Sequence, residues 1–388
     1  MKAEFLNLIE SIQAEAATVQ RLFASEDGER SVRGLRQRRQ GDPRYMAQLA
    51  EAARFYGEVC SGKRPLWQFK EAMSTSDFPI LFGDTLDRLV VADYLAMPSS
   101  FRTFLKVGTV ADFRLVDRYR ISDGDQRLDL VAQGANYPAG NLDEAGMSFK
   151  VNKYGRTFHL LWEALINDDL DALRSVPTRM ARASMRTEQY FAASLWVANT
   201  TLFTVGHVNK GTAVLTADSL VAGWNAMVAI GKDANNEPIF NTPRYVVVPP
   251  VLELKARQIV GTMQLFYAGG GATVVAMPTD NPIQGRLEVQ VEPYMPVVDA
   301  TNGNTSWYLT ADPANGHIAE VAFLRGYEEP GLYMKASNQV RLGGGPADPM
   351  EGDFETDAVH YKVRHVLGGA HANALDNWRF GYWSDGTV

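Results

Sequence analysis

The chain has 388 residues, 46% of them apolar and 21% charged, with 33 Gly and 18 Pro. That composition excludes disordered, collagen-like and disulfide-scaffold classes and predicts roughly two to three globular domains. No run approaches 18 consecutive apolar residues, and the amphipathic N-terminus MKAEFLNLIESIQAEAATVQ carries three glutamates where a signal peptide has an unbroken apolar segment, so neither secretion nor membrane spanning is expected. The single cysteine, Cys60, builds neither an intrachain disulfide nor a thiolate metal site and reads as a buried free thiol, consistent with a reducing cytoplasm at synthesis. With 38 basic residues against 45 acidic ones, the net charge of −7 opposes wholesale nucleic-acid binding. There is a local exception: Arg30, Arg33, Arg36, Arg38, Arg39 and Arg44 are opposed only by Asp42. Such a run is either a solvated helix face or a contact for nucleic acid or an acidic partner.

Residues 1–72 read as a polar helical arm. Leu6, Ile9 and Ile12 fall at three-residue steps, and Tyr45, Leu49, Ala52 and Tyr56 at three or four. So few large apolar residues do not build a core, so the arm either docks on something or stays mobile. After the break at Ser74–Pro79, Leu81, Leu86, Leu89, Val90 and Tyr94 predict another helix. From Phe113 the pattern changes to alternation and turns, and residues about 115–160 read as a long two-stranded excursion. Two arms of about 15 residues would project roughly 50 Å. A lone ribbon is marginal in water, and this one, rich in charge and Gly, offers little apolar face to its own domain, so something outside must hold it. Asn167-Asp168-Asp169-Leu170 is a helix-start signal. Pro177 suits the first turn of a new helix running to about Asn199, a spine of roughly 33 Å. Met180, Ser184, Phe191 and Leu195 form one stripe of it and Ala181, Met185, Ala192 and Trp196 another, with Arg179, Arg182, Arg186 and Glu188 on the opposite face.

Residues 215–345 alternate in period and predict a mixed domain. Helices are expected at Ala217–Ile230 and Pro250–Val260. Strands are expected at Tyr245–Pro249, Ala272–Met277, Leu287–Val291, Trp307–Thr310, Ile318–Leu324 and Leu332–Lys335. Beyond the Gly343-Gly344-Gly345-Pro346 break, Ala358–Val366 and Asn377–Tyr382 read as a last antiparallel pair. No HExxH, GxSxG, CxxC or P-loop motif is present. The histidines, His159, His207, His317, His360, His365 and His371, are scattered. His360 and His365, five apart in a presumed strand, face opposite sides. Asp168 and Asp169 read as helix caps rather than paired acids, Asp123-Gly124-Asp125 as a hairpin turn rather than a calcium loop, and Gly269-Gly270-Gly271 as a loop without the setting of a dinucleotide site. No catalytic group, metal or cofactor is expected. Arg114, Arg118, Arg120 and Arg127 give the ribbon a basic side, and Asp143 and Glu144 are an acidic pair. Charges of opposite sign on such a ribbon would fix register between copies if ribbons lie across neighbours.

Four pieces in order carry a family resemblance over about residues 75–385: Tyr154-Gly155-Arg156-Thr157-Phe158; Glu163-Ala164-Leu165-Ile166-Asn167-Asp168-Asp169-Leu170; Trp307 to Pro313 with Val321 to Gly326 and Pro330; and Lys362-Val363-Arg364-His365 to Trp378-Arg379. Together they resemble the major capsid proteins of tailed double-stranded DNA bacteriophages, the Hong Kong 97 type of shell fold, and in the third piece the Mu-type major head subunits. The resemblance implies an α+β subunit with an N-terminal arm (1–72) and an extended β-hairpin loop (115–160). It further implies a peripheral domain with the spine helix (73–114, 161–214 and 346–388) and an axial domain (215–345). It implies a structural protein of the virion, assembled in the bacterial host cytoplasm, whose copies close rings of five and six in an icosahedral shell. Its partners would be itself, packaged double-stranded DNA by non-specific contact, a portal, and a scaffold or decoration protein. Tyr137, Asp143, Glu144, Arg118 and Arg120 are the inter-subunit candidates of the loop. Arg30, Arg33, Arg36, Arg38 and Arg39 would meet DNA or a neighbour. Many relatives carry a long scaffolding segment that a protease removes, whereas this arm is short, which counts against cleavage. The loop tip, about 134–145, has Asn136 and Asn141 but no Lys, so no Lys–Asn crosslink is expected. The alternatives are an encapsulin-like cargo compartment of the same fold and an α/β enzyme with an unrecognised site.

Overall fold

The computed structural model describes residues 48, 50–55, 58, 63–64, 68, 90–122, 130–131, 133, 143–161, 170–232, 237–267, 277–335, 337–339 and 353–387. The strands are β1 (Lys106–Val110), β2 (Val116–Ser122), β3 (Asp143–Phe149), β4 (Val151–Leu161), β5 (Lys210–Gly211), β6 (Pro243–Val248), β7 (Gln264–Tyr267), β8 (Met277–Asp280), β9 (Glu288–Val291), β10 (Trp307–Ala311), β11 (Ala319–Leu324), β12 (Gly331–Met334), β13 (Ala358–His371) and β14 (Gly381–Ser384). The helices are α1 (Leu170–Trp196), α2 (Ala217–Ala229), α3 (Glu253–Gly261) and the single turn α4 (Met295–Val298). The architecture is α+β, as expected. Contacts divide the chain into two compact units, one drawn from Met1–Pro98, Lys153–Arg186 and Leu324–Val366, the other from Ser99–Asn152, Thr187–Phe323 and Leu367–Val388.

In the first unit, β12 runs antiparallel to β13, with Leu332 opposite Val363 and Tyr333 opposite Lys362. Val90 and Tyr94, from a helical stretch at 90–95, close a small core with Ala181 and Met185 of α1. Thr178 Oγ1 donates to Asp93 Oδ2 at 2.6 Å beside that core. Helix α1 passes through Pro177 without restarting there. A proline costs an interior helix one backbone hydrogen bond, and a helix of 27 residues retains the rest, so the expected first-turn role of Pro177 is corrected to an interior one.

The second unit is built on a five-stranded sheet, order β5-β14-β10-β6-β9. Its middle strand, β10, is buried along its whole length, because both faces of its aromatic and aliphatic run are covered. On one face, Trp307 lies 5.6 Å from Tyr382, and Gly223 of α2 sits so close that an added Cβ would come within about 3.1 Å of both rings. On the other, Tyr308 meets Trp196 edge-on at 4.7 Å, Phe203 at 5.5 Å and Trp383 in a stack at 6.0 Å. The Tyr308 hydroxyl also accepts the N–H of Ala198 at 2.9 Å. Ala198 has φ +51°, the left-handed position after a helix that glycine usually fills, and its amide is thereby satisfied. Helix α2 opens with a capping box, Thr216 and Ser219 exchanging side-chain and backbone hydrogen bonds.

Beside this sheet, β11 pairs antiparallel with the end of β13, Ala319 opposite His371 through Phe323 opposite Leu367. Gly369, at φ +151°, brings its backbone so near Glu320 that a Cβ would lie 2.1 Å from the Glu320 carbonyl oxygen, so only glycine fits. β2 and β3 form the ribbon, Val116 opposite Phe149 through Ser122 opposite Asp143.

Three further expectations are corrected. The ribbon's second arm does not run to residue 160: the strand ends at Phe149, and β4 pairs with β13 instead, so the described ribbon has seven residues a side, about 23 Å. The ribbon also offers more apolar face than expected, because Met147 and Phe149 are buried. The chain's last strands are not partners: β13 pairs with β4, β11 and β12, whereas β14 pairs with β10 and β5. The strand expected at Ala272–Met277 lies outside the described residues except for Met277, which starts β8, the partner of β7.

Candidate functional site at the root of the ribbon

The pleat gives the ribbon two unlike faces. Val116 and Arg118 share the inner one with Met147 and Phe149. The outer face carries Asp117, Tyr119 and Ser148, with Tyr119 about two-thirds exposed and resting against Gly146. Ser148 Oγ donates to Asp117 Oδ1 across the pair. Phe113 and Leu115, just before β2, are also exposed.

The segment from Ser100 to Arg118, which leads into the ribbon, is met by three buried glutamates of the same unit. Ser100 Oγ donates to Glu292 Oε2 at 2.5 Å, and the same carboxylate accepts Tyr294 N–H at 3.1 Å. Burial raises the Glu292 pKa above the ordinary carboxylate range, partly opposed by those two donors. Arg102 reaches Glu188 Oε1 through Nη2 at 2.7 Å and Nε at 3.2 Å, its guanidinium lying 5.3 Å over the Phe323 ring. Glu320, on β11, takes Arg118 Nε at 3.0 Å on Oε1 and Lys106 Nζ at 3.4 Å on Oε2. The three carboxylate residues are fully covered. Arg118 also donates to Thr109 O at 3.3 Å and lies 5.7 Å over the Phe149 ring. Gly108 makes room for the Glu320 carboxylate, since a Cβ there would lie 2.5 Å from Oε1. His317 Nε2 stands 3.9 Å from Glu320 Oε2, and burial, with Lys106 adding to it, lowers its pKa to about 4. Arrangements of this kind position a chain.

None of the three glutamates was singled out as a site residue from the sequence. Glu188 was assigned to the polar face of the spine, yet it follows Met185 by three and precedes Ala192 by four, which places it in the buried stripe. Glu320 interrupts the apolar run Ala319–Leu324, and Glu292 follows Val289–Val291; a charge inside a buried run is the signal that was there to find. Of the expected site residues, Arg118 is engaged within its own chain. Arg120, Asp143 and Glu144 are strand positions. Tyr137, Arg30, Arg33, Arg36, Arg38 and Arg39 lie outside the described residues, as do Asp168, Asp169, Asp123–Asp125 and Gly269–Gly271. His365 is buried against Tyr94, whereas His360 reaches Asp353 at 3.0 Å, on opposite faces of β13 as the spacing requires. Among the described residues no cluster of His, Cys, Asp or Glu is placed to hold a metal ion, and no helix is long and apolar enough to cross a membrane.

The sequence matches the family model described as phage capsid protein over residues 144–384. The class is therefore a structural protein of a viral shell. The chain belongs to the phage capsid protein family. Solved structures that it resembles include the capsid of an empty GTA particle, 13% identical, covering 75% of this chain and 95% of that one at a TM-score of 0.47. Another is that of Mycobacterium phage Bobi, 10% identical, covering 74% and 90% at 0.46. A third is the capsid of cyanophage P-SCSP1u, 11% identical, covering 74% and 88% at 0.44. No curated protein matches the sequence.

Proposed function

We propose that this protein is the repeating subunit of a closed phage head, a shell of the Hong Kong 97 type in which copies form rings of five and six around double-stranded DNA. The observation that carries the reading is the capsid family match over residues 144–384, a span that opens inside the ribbon and ends in the central sheet. The ribbon supports it: its outer face leaves Tyr119, with Leu115 and Phe113 beside it, exposed for a neighbouring copy to cover. In this reading residues 1–72 are an arm, 115–160 an extended loop, 73–114, 161–214 and 346–388 a peripheral domain and 215–345 an axial domain. Tyr137, Arg120, Asp143 and Glu144 lie between subunits, while Arg118 acts from inside its own. Arg30, Arg33, Arg36, Arg38 and Arg39 touch DNA or a neighbour, weakly and without sequence preference, a mode that the net charge of −7 favours. A portal and a scaffold or decoration protein complete the head, which is assembled in the host cytoplasm. Electron microscopy of the purified full chain tests the proposal: closed particles of uniform diameter are expected, and a monomer of 42.9 kDa at all salt concentrations would overturn it.

A further inference from the structure

The structure assigns to Glu188, Glu292 and Glu320 a common role as a latch that sets the direction in which the ribbon leaves its subunit, and so the angle at which it meets a second copy. The inference rests on the proposed assembly, but its first half is a property of the single chain. A strand pair tied at one point can still rotate about it. Here the entering segment is tied at Ser100, Arg102, Lys106 and Arg118 to three elements: the turn after β9, α1 and β11. The attachments at Ser100, Arg102 and Arg118 are directional, because a hydrogen bond to a carboxylate weakens with angle as well as distance, whereas apolar packing tolerates sliding; the Lys106 ion pair adds charge without that directionality. They are also shielded, since each carboxylate is inaccessible to solvent, so salt screens them far less than surface pairs. Replacing them by apolar side chains would preserve burial and lose direction. Gly108 fits this role: a Cβ there would lie 2.5 Å from Glu320 Oε1, so a side chain at that point of β1 would have to displace the carboxylate.

The test uses the full-length chain with Glu320→Gln, Arg118→Gln and the double variant. Hydrogen–deuterium exchange is followed in the unassembled protein, and particle diameters are measured by electron microscopy after assembly. Exchange at 116–122 and 143–149 is expected to rise at least tenfold in each single variant and no further in the double, with 245–248 and 307–311 unchanged. Particles of the variants are expected to be open or of mixed diameter. An unchanged ribbon, or loosening of all four segments together, would overturn the latch. Uniform particles of wild-type diameter despite a loosened ribbon would overturn the claim that ribbon direction governs assembly. If the wild-type chain forms no particles, the assembly reading falls while the exchange comparison still decides the single-chain half.

Discussion

Two regions of the second unit are held by different physics. Around β10, Trp196, Phe203, Trp307, Tyr308, Tyr382 and Trp383 bury large rings against one another, and stability there scales with the area removed from water. At the root of the ribbon the same unit relies on a few ion pairs with buried glutamates. Desolvating such charges offsets most of their attraction, so they add little net stability while fixing geometry. A protein that only had to remain folded would gain nothing from the second arrangement. A subunit whose projecting part must meet a neighbour at a set angle has a use for it.

The largest expected effect is on the aromatic side. Tyr308→Ala removes a fully buried ring from between Trp196 and Trp383 and should cost about 4 kcal/mol in denaturant unfolding. Tyr308→Phe, which keeps the ring and loses the hydroxyl that accepts from Ala198, should cost about 1 kcal/mol. Equal costs for the two would break the comparison by making the hydroxyl, not the packing, the dominant contact. Next comes the charged side. His317 has a folded-state pKa of about 4 against an ordinary 6.5, so as pH falls the unfolded chain takes up the proton first. The stability that neutral His317 contributes is complete above pH 6.5 and is lost as pH drops towards 4, by up to about 3 kcal/mol. His317→Gln should flatten that part of the stability–pH curve. A curve of unaltered slope would show that His317 is not the group responsible. The smallest effect is local: Thr216→Ala removes one half of the α2 capping box and should cost about 1 kcal/mol by the same unfolding measurement, without touching either region.

Much of the fold was legible in the chain. The helices at Ala217–Ile230 and Pro250–Val260 and the strands at Tyr245–Pro249 and Trp307–Thr310 follow from local periodicity, and the structure has them with ends shifted by at most three residues. The candidate site was legible only in part. Arg118 was noticed as a charge on the ribbon, but its partner is 202 positions away, and no local pattern carries that information. The charge of Glu188 points to the solvated face of the helix, whereas its helical phase places it in the buried stripe.

The sequence by itself determined the class, the α+β order of elements and the buried strands, because side-chain periods of 2 and 3.6 are properties of neighbouring residues. Only the tertiary structure decided that β4 leaves the ribbon for β13, that β14 joins β10 rather than β13, and that three glutamates converge on the segment entering the ribbon. Those choices depend on which distant surfaces can exclude water together, and pairing across hundreds of residues leaves no period to read.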